Sequence, residues 1–290
     1  MDYSVGCPIV TPFDDDGRLD TDSLAALVED LVSRGVDRLV PCGTTGEFAA
    51  LTDDERQRVI ETTVAAADGR ATVMAGVGGT AVADVRDRIQ TAAAAGADSA
   101  LVVAPYYGGQ ATPEGNERFL DAVAAGASLP LYLYNIPSAA GQSLSAETVV
   151  ALAERGRYDG IKDSSGDLTH FDEMIDRTPD SFAVVQGWDA QFVPSLVMGA
   201  DGCIGAGTHL LAAAFVDAGG AVATGDLDAA RRHQAARIDP LFRACLDHGF
   251  APVCKAVLAE RGVIASDAVR PPLVTLTAPD RHAIVETIEG

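Results

Sequence analysis

Lysine is almost missing from this chain. Among 290 residues there are two, Lys162 and Lys255, against nineteen arginines. Positive charge as a whole is scarce, with 21 basic side chains against 42 acidic ones and a formal net charge of −21. Such a surface repels phosphate backbones and anionic bilayers, which excludes nucleic acid and membrane surfaces as partners. No run of 18 apolar residues occurs, so no spanning helix is expected. The opening Met1-Asp-Tyr-Ser4 has neither the basic stretch nor the apolar run of a secretory leader, and the expected location is cytoplasmic. The cysteines (Cys7, Cys42, Cys203, Cys245, Cys254) are odd in number, widely spaced and without a CxxC pair, and are expected to be reduced. Five histidines show no metal or triad spacing, and there is no GxSxG and no P-loop. Gly76-Val-Gly-Gly79 misses the spacing of a dinucleotide loop. No metal site is expected.

What is present is regular. The chain is 48% hydrophobic, and short β-branched runs alternate with longer patterns of helical period about every thirty residues. Strands are expected at 5–10, 38–41, 72–77, 100–104, 131–134, 160–162, 183–186 and 203–204. Helices are expected at 21–34, 53–67, 81–95, 113–125, 146–155, 169–178, 190–198 and 209–221. Thr52, Thr80, Thr112 and Ser145 read as N-caps, and Gly35, Gly96 and Gly199 as helix ends. Eight strand–helix units with continuously apolar strands predict an α/β fold, a closed (β/α)8 TIM barrel over residues 1–223. Residues 224–290 are expected to form a C-terminal helical extension, with helices at 226–248 and 253–261, a break at Pro271-Pro272 and a terminal helix from Pro279. The acidic residues are spread along the chain, a pattern that fits adaptation to molar salt or an ordinary acidic cytosolic protein.

In a chain that avoids lysine, Lys162 stands out. It lies in Tyr158-Asp-Gly-Ile-Lys-Asp-Ser-Ser-Gly166, at the carboxyl end of a strand, where barrels of this class keep their chemistry. An amine there can shed its proton and attack a carbonyl, which a guanidinium cannot. Cys42-Gly-Thr-Thr-Gly-Glu47 ends the second strand and would offer hydroxyls and bare N–H groups to a small carboxylate, or merely cap the following helix. Leu131-Tyr-Leu-Tyr134 puts both tyrosines on one face, so one would point toward Lys162 as a proton carrier or sit in the core. Pro105-Tyr-Tyr-Gly-Gly109 ends the fourth strand with two aromatics, one of which suits a subunit contact. Lys255, on a helical pattern in the tail, reads as structural or interfacial.

With these positions in hand, the sequence resembles the dihydrodipicolinate synthase / N-acetylneuraminate lyase family of class I, lysine-dependent aldolases. The likeness rests on Thr11-Pro-Phe13, Gly43-Thr-Thr-Gly-Glu47, Pro105-Tyr-Tyr107, Tyr134-Asn-Ile-Pro-Ser138 and Gly160-Ile-Lys-Asp163. It implies that Lys162 forms a Schiff base with pyruvate or another 2-oxo acid and that Thr44 and Thr45 hold the carboxylate. It implies further that Tyr134 relays protons with Thr45 and Tyr107, and that Gly187 and Ile204 line the pocket. The resemblance implies no cofactor beyond the covalent lysine imine, small 2-oxo acid and aldehyde partners, and a homotetramer in which Tyr107 reaches a neighbouring subunit's site. One position departs. Where dihydrodipicolinate synthases carry an arginine for the second substrate's carboxylate, this chain has Ala139. A bidentate charged contact of that kind contributes about 1.5–3 kcal/mol. Together with Lys162-Asp-Ser-Ser-Gly-Asp167, the loss points to an aldolase splitting 2-keto-3-deoxygluconate or its 6-phosphate into pyruvate and glyceraldehyde or its 3-phosphate. The alternatives are 4-hydroxy-tetrahydrodipicolinate synthase, acting on pyruvate and aspartate semialdehyde, an N-acetylneuraminate lyase-like aldolase, a hydroxy-oxoglutarate aldolase and a keto-acid dehydratase. Outside catalysis, a keto-acid-binding sensor barrel would have no use for Lys162, Tyr134 and Thr45 together.

Overall fold

Strands that are apolar on both faces need cover on both, and closing eight of them into a barrel provides it. The computed structural model describes residues 3–107 and 111–289. Strands β1 (Ser4–Cys7), β2 (Arg38–Leu39), β3 (Thr72–Gly76), β4 (Ser99–Val103), β5 (Leu131–Asn135), β6 (Gly160–Asp163), β7 (Ala183–Gln186) and β8 (Gly202–Ile204) pair in parallel in chain order. β8 returns to β1, and the expected (β/α)8 TIM barrel is what the chain adopts. β1 and β2 stop short of the runs expected from sequence. Pro8 follows the last residue of β1, and Pro41 comes after Val40, whose N–H still bonds the Cys7 carbonyl at 2.8 Å; a proline has no N–H to extend a ladder further.

Helices α1 (Thr21–Ser33), α2 (Asp53–Ala67), α3 (Val82–Ala94), α4 (Pro113–Ala124), the single turn α5 (Pro137–Ala140), α6 (Ala146–Glu154), α7 (Leu168–Arg177), α8 (Phe192–Met198) and α9 (Thr208–Thr224) surround the strands. Their starts follow local chemistry. Thr52 and Glu55 form a reciprocal capping box on α2, and Thr112 and Ser145 cap α4 and α6 through their hydroxyls. Thr80 does not cap. The residue before α3 is Ala81, which makes no side-chain cap bond. Gly35, Gly96 and Gly199 all take the left-handed backbone that ends a helix.

The core has two layers. Between strands and helices lie residues such as Leu24, Leu27, Leu133, Phe171 and Val184. Inside the barrel, Val40, Met74, Leu101, Tyr134, Val185 and Ile204 fill the axis. Along β5, Leu131 and Leu133 face the helices while Tyr132 and Tyr134 face inward, as the period of two requires.

The tail follows as α10 (Leu227–His233), a π-helical turn (Gln234–Ile238), α11 (Asp239–His248), α12 (Phe250–Glu260) and α13 (Ala278–Glu289). The π turn divides the helix expected at 226–248 where the Gln234 amide donates to the Asp189 carbonyl (3.0 Å) and the Asp239 carboxylate (2.7 Å). α12 starts at Phe250, ahead of the expected 253, and is buried from Ala251 to Leu258, as a helix apolar all round must be. Among the described residues no helix is long and apolar enough to cross a membrane.

Candidate active site

The register of β5 and β6 sets Tyr134 beside Lys162 on neighbouring inward-facing positions. Lys162 is 5% exposed, and its Nζ lies 4.5 Å from the centre of the Tyr134 ring. It makes no ion pair among the described residues. The nearest carboxylate in sequence is turned away. Asp163 accepts from Asn135 Nδ2 and Ser165 Oγ, each at 2.6 Å, and burial raises its pKa above the usual carboxylate range.

Opposite stands the turn after β2. Cys42 and Glu47 both adopt left-handed backbone (φ 57° and 55°), which reverses the chain tightly enough to present Thr44 and Thr45. Thr45 is buried and Thr44 exposed at the rim. The turn is held from beneath: Thr11 Oγ1 donates to the Gly46 carbonyl at 2.7 Å. Glu47 accepts from Lys255 Nζ at 2.5 Å and from the Arg270 N–H at 2.8 Å. The Phe13 ring lies 4.2 Å from both Lys255 Nζ and Arg270 Cζ, a cation–π seat for the pair. The second lysine is therefore fully buried, and burial pushes it down to about 8 against the opposing pull of Glu47.

Thr44, Thr45, Tyr134, Lys162, Gly187 and Ile204 line one cavity of about 250 Å³. Tyr107 does not. It is fully exposed, in left-handed backbone (φ 66°), and the adjoining Gly108 and Gly109 of that motif lie outside the described residues. Gly187 has a steric reason to be glycine: a Cβ there would sit 2.1 Å from Ser164 Oγ and 2.7 Å from Lys162 Cε.

Sequence reasoning passed over two parts of this cavity and one buried carboxylate near it. Ser164 lines it with a buried hydroxyl that has no partner, and its place two residues after Lys162 was a usable signal. Asp189 is buried in the segment after β7 and does not line the cavity. One oxygen accepts from the Gly207 N–H at 2.7 Å and the other has no partner. Burial holds Asp189 up to about 6, with Lys162 among the charges pulling it back. The tail supplies Phe250 and Leu273 to the wall, which no local pattern announced.

Thr44, Ile136 and Leu273 also border a second chamber of about 350 Å³. Ala139 lines it, with Phe48 and Tyr106 edge to face at 5.8 Å between ring centres.

Comparison with known proteins finds matches along the whole chain. The family model described as "Dihydrodipicolinate synthetase family" matches residues 4–290. The 4-hydroxy-tetrahydrodipicolinate synthase of Exiguobacterium sp. is 36% identical over 293 residues, covering 100% of this chain and 98% of the relative. That of Methanoculleus marisnigri is 37% identical over 270 residues, 91% of each chain. Among solved structures, a dihydrodipicolinate synthase from Bacillus anthracis superposes with a TM-score of 0.95 at 29% identity, covering 100% of this chain and 98% of that one. A prophage protein of the dihydrodipicolinic acid synthase family from E. coli K12, in complex with pyruvate, gives a TM-score of 0.92 at 30% identity, with 99% and 97% covered.

Proposed function

The chain belongs to the dihydrodipicolinate synthetase family, carbon–carbon lyases of the pyruvate-aldolase type, and from that premise we propose that Lys162 forms the imine through which it works. The observation that carries the proposal is Lys162 itself: buried, without an ion pair, and sharing a cavity with a hydroxyl-bearing turn and a phenol. In the cleavage direction, the amine adds to the C2 carbonyl of a 4-hydroxy-2-oxo acid and water leaves, giving a protonated imine. The C3–C4 bond then breaks, and its electron pair moves into the imine to give an enamine. The C4 hydroxyl loses its proton to the Tyr134–Thr45 relay as the aldehyde departs, and a proton returns through the relay to C3. Water hydrolyses the imine to pyruvate and free Lys162. Thr44 and Thr45 hold the carboxylate, Gly187 leaves room for the lysine, and Ile204 closes the floor. The imine is the electron sink, so the scheme calls for no resident metal or organic cofactor. Tyr107 joins the relay only if a second copy of the chain presents it, which fits a homotetramer.

For the aldehyde half, Ala139 favours an uncharged partner, and with it the 2-keto-3-deoxygluconate reading. The 6-phosphate fits less well, because Arg270, the cation bordering the second chamber, already bonds Glu55, Gly17 and Ala50. The second reading, condensation with aspartate semialdehyde, is favoured by the name that the relatives carry. Borohydride reduction in the presence of pyruvate, followed by peptide mass spectrometry, is expected to place the adduct on Lys162. An adduct on Lys255, or none in active protein, overturns the proposal.

A further inference from the structure

The second chamber is built almost wholly of carbon. Phe48, Val103, Ile136, Ala139, Pro272 and Leu273 form its walls, and it borders the lysine cavity at Thr44. Its charged neighbours are already committed. Glu47 spends one oxygen on Lys255 and the other on the Arg270 N–H. The Arg270 guanidinium donates to the Gly17 and Ala50 carbonyls and to both oxygens of Glu55. Among the described residues, the side-chain polar groups left to a ligand are the Thr44 hydroxyl and the Tyr106 phenol. Those bonds also fix the wall. Residues 270–273 are pinned to the turn that carries Thr44 and Thr45 and to the loop at Gly17, so the chamber is a property of the fold.

We infer that this chamber receives the aldehyde half of the substrate and selects an uncharged, apolar substituent, aryl or branched alkyl. The substrate class is then a 4-hydroxy-2-oxo acid with an apolar group on C4, cleaved to pyruvate and the apolar aldehyde. The inference rests on the proposed imine at Lys162; it keeps the uncharged aldehyde favoured by Ala139 and puts an apolar one in place of glyceraldehyde. An anionic substituent finds no free cation here among the described residues, and it would lose its hydration without replacement. A polyhydroxylated one buries more hydroxyls than Thr44 and Tyr106 can satisfy, and unpaired hydroxyls are penalised. An apolar one replaces water against Phe48, Tyr106 and Leu273 and gains on burial. This ranks glyceraldehyde below an aldehyde such as benzaldehyde or isobutyraldehyde.

The test compares kcat/KM for pyruvate with benzaldehyde, isobutyraldehyde, glyceraldehyde and aspartate semialdehyde on the full chain, following the 4-hydroxy-2-oxo acid formed. The expected result is a lead of roughly tenfold or more for the two apolar aldehydes, the scale at which apolar pockets discriminate. Ala139→Arg is expected to shrink that lead and raise the semialdehyde. Leu273→Gln is expected to shrink it too, which serves if the arginine variant does not fold. Borohydride trapping of pyruvate on the same wild-type preparation separates two failures. If the adduct forms on Lys162 while glyceraldehyde or the semialdehyde leads, the apolar assignment is wrong and the imine chemistry stands. If no adduct forms in active protein, the imine proposal fails and the assignment fails with it.

Discussion

Lys162 and Lys255 are both buried beside the turn Cys42–Glu47, one sharing a cavity with its threonines and the other bonded to its glutamate, and they meet different surroundings. Lys255 Nζ has a carboxylate oxygen at 2.5 Å, a carbonyl at 2.8 Å and an aromatic face at 4.2 Å. Lys162 Nζ has an aromatic face at 4.5 Å and a cavity of about 250 Å³ in front of it. The same side chain is thus a tie in one place and, in the proposed mechanism, a reagent in the other. The deciding difference is whether the ammonium has been given a counter-charge. Burying an ammonium costs several kcal/mol unless it is paired. At 255 the fold offsets that cost, and at 162 it does not, leaving the nitrogen available to a carbonyl.

One substitution made at both positions breaks the comparison open. Lys→Met keeps length and removes the amine. At 162 the expected loss is activity, roughly 10⁴-fold or more in kcat/KM, equivalent to about 5.5 kcal/mol of barrier. The melting temperature should hold or rise, since no ion pair is broken. At 255 the expected loss is stability, about 3–5 kcal/mol, because Glu47 is left buried without its partner. Denaturant melts and steady-state rates on both variants check this. Lys162→Met unfolding the protein, or Lys255→Met abolishing imine formation in folded protein, would exchange the assigned roles. Adding Glu47→Gln to Lys255→Met should recover part of the lost stability by removing the orphaned charge.

That asymmetry was only half visible in the chain. The place of Lys162 in the cavity was legible because its neighbours are local and periodic: a strand end, a Gly-Ile entry, a polar turn. Thr44, Thr45, Tyr134, Gly187 and Ile204 share its cavity for the same reason, each at the carboxyl end of a barrel strand. The tie lysine read as structural or interfacial from its helical pattern, but its partner was not legible, since Glu47 is 208 positions away and belongs to a motif readable as a carboxylate cradle by itself. Asp189 was missed because nothing in its local phrase shows that Gly205 and Gly207 close over its carboxylate. The wall at Leu273 was missed likewise, because its position depends on Arg270 reaching Gly17 and Glu55 across more than two hundred residues. The end of α3 differs for a smaller reason: Thr80 stands one residue too early to cap it.

The smallest expected effect sharpens the comparison from the tail side. Arg270 links the Lys255–Glu47 tie to Glu55, and its guanidinium holds the Glu55 carboxyl down to about 2. A carboxylate whose native pKa lies below its unfolded value, here an ordinary 4.5, stabilises the fold fully above 4.5 and progressively less as pH falls toward 2. Asp189 acts in the opposite sense: raised to about 6 by burial, its contribution is present below 3.8 and lost as pH rises through 6. Acid melts should therefore show a destabilisation between pH 4.5 and 2 that Glu55→Gln flattens, at a cost near neutrality of about 1–2 kcal/mol. Borohydride trapping on Lys162 above pH 4.5 should change little, because Glu55 does not itself line the lysine cavity and bears on it only through Leu273 at its rim. An acid profile unchanged by Glu55→Gln would mean that the wall formed by residues 270–273 is held by the Glu47 tie and the Gly17 and Ala50 carbonyls without help from Glu55.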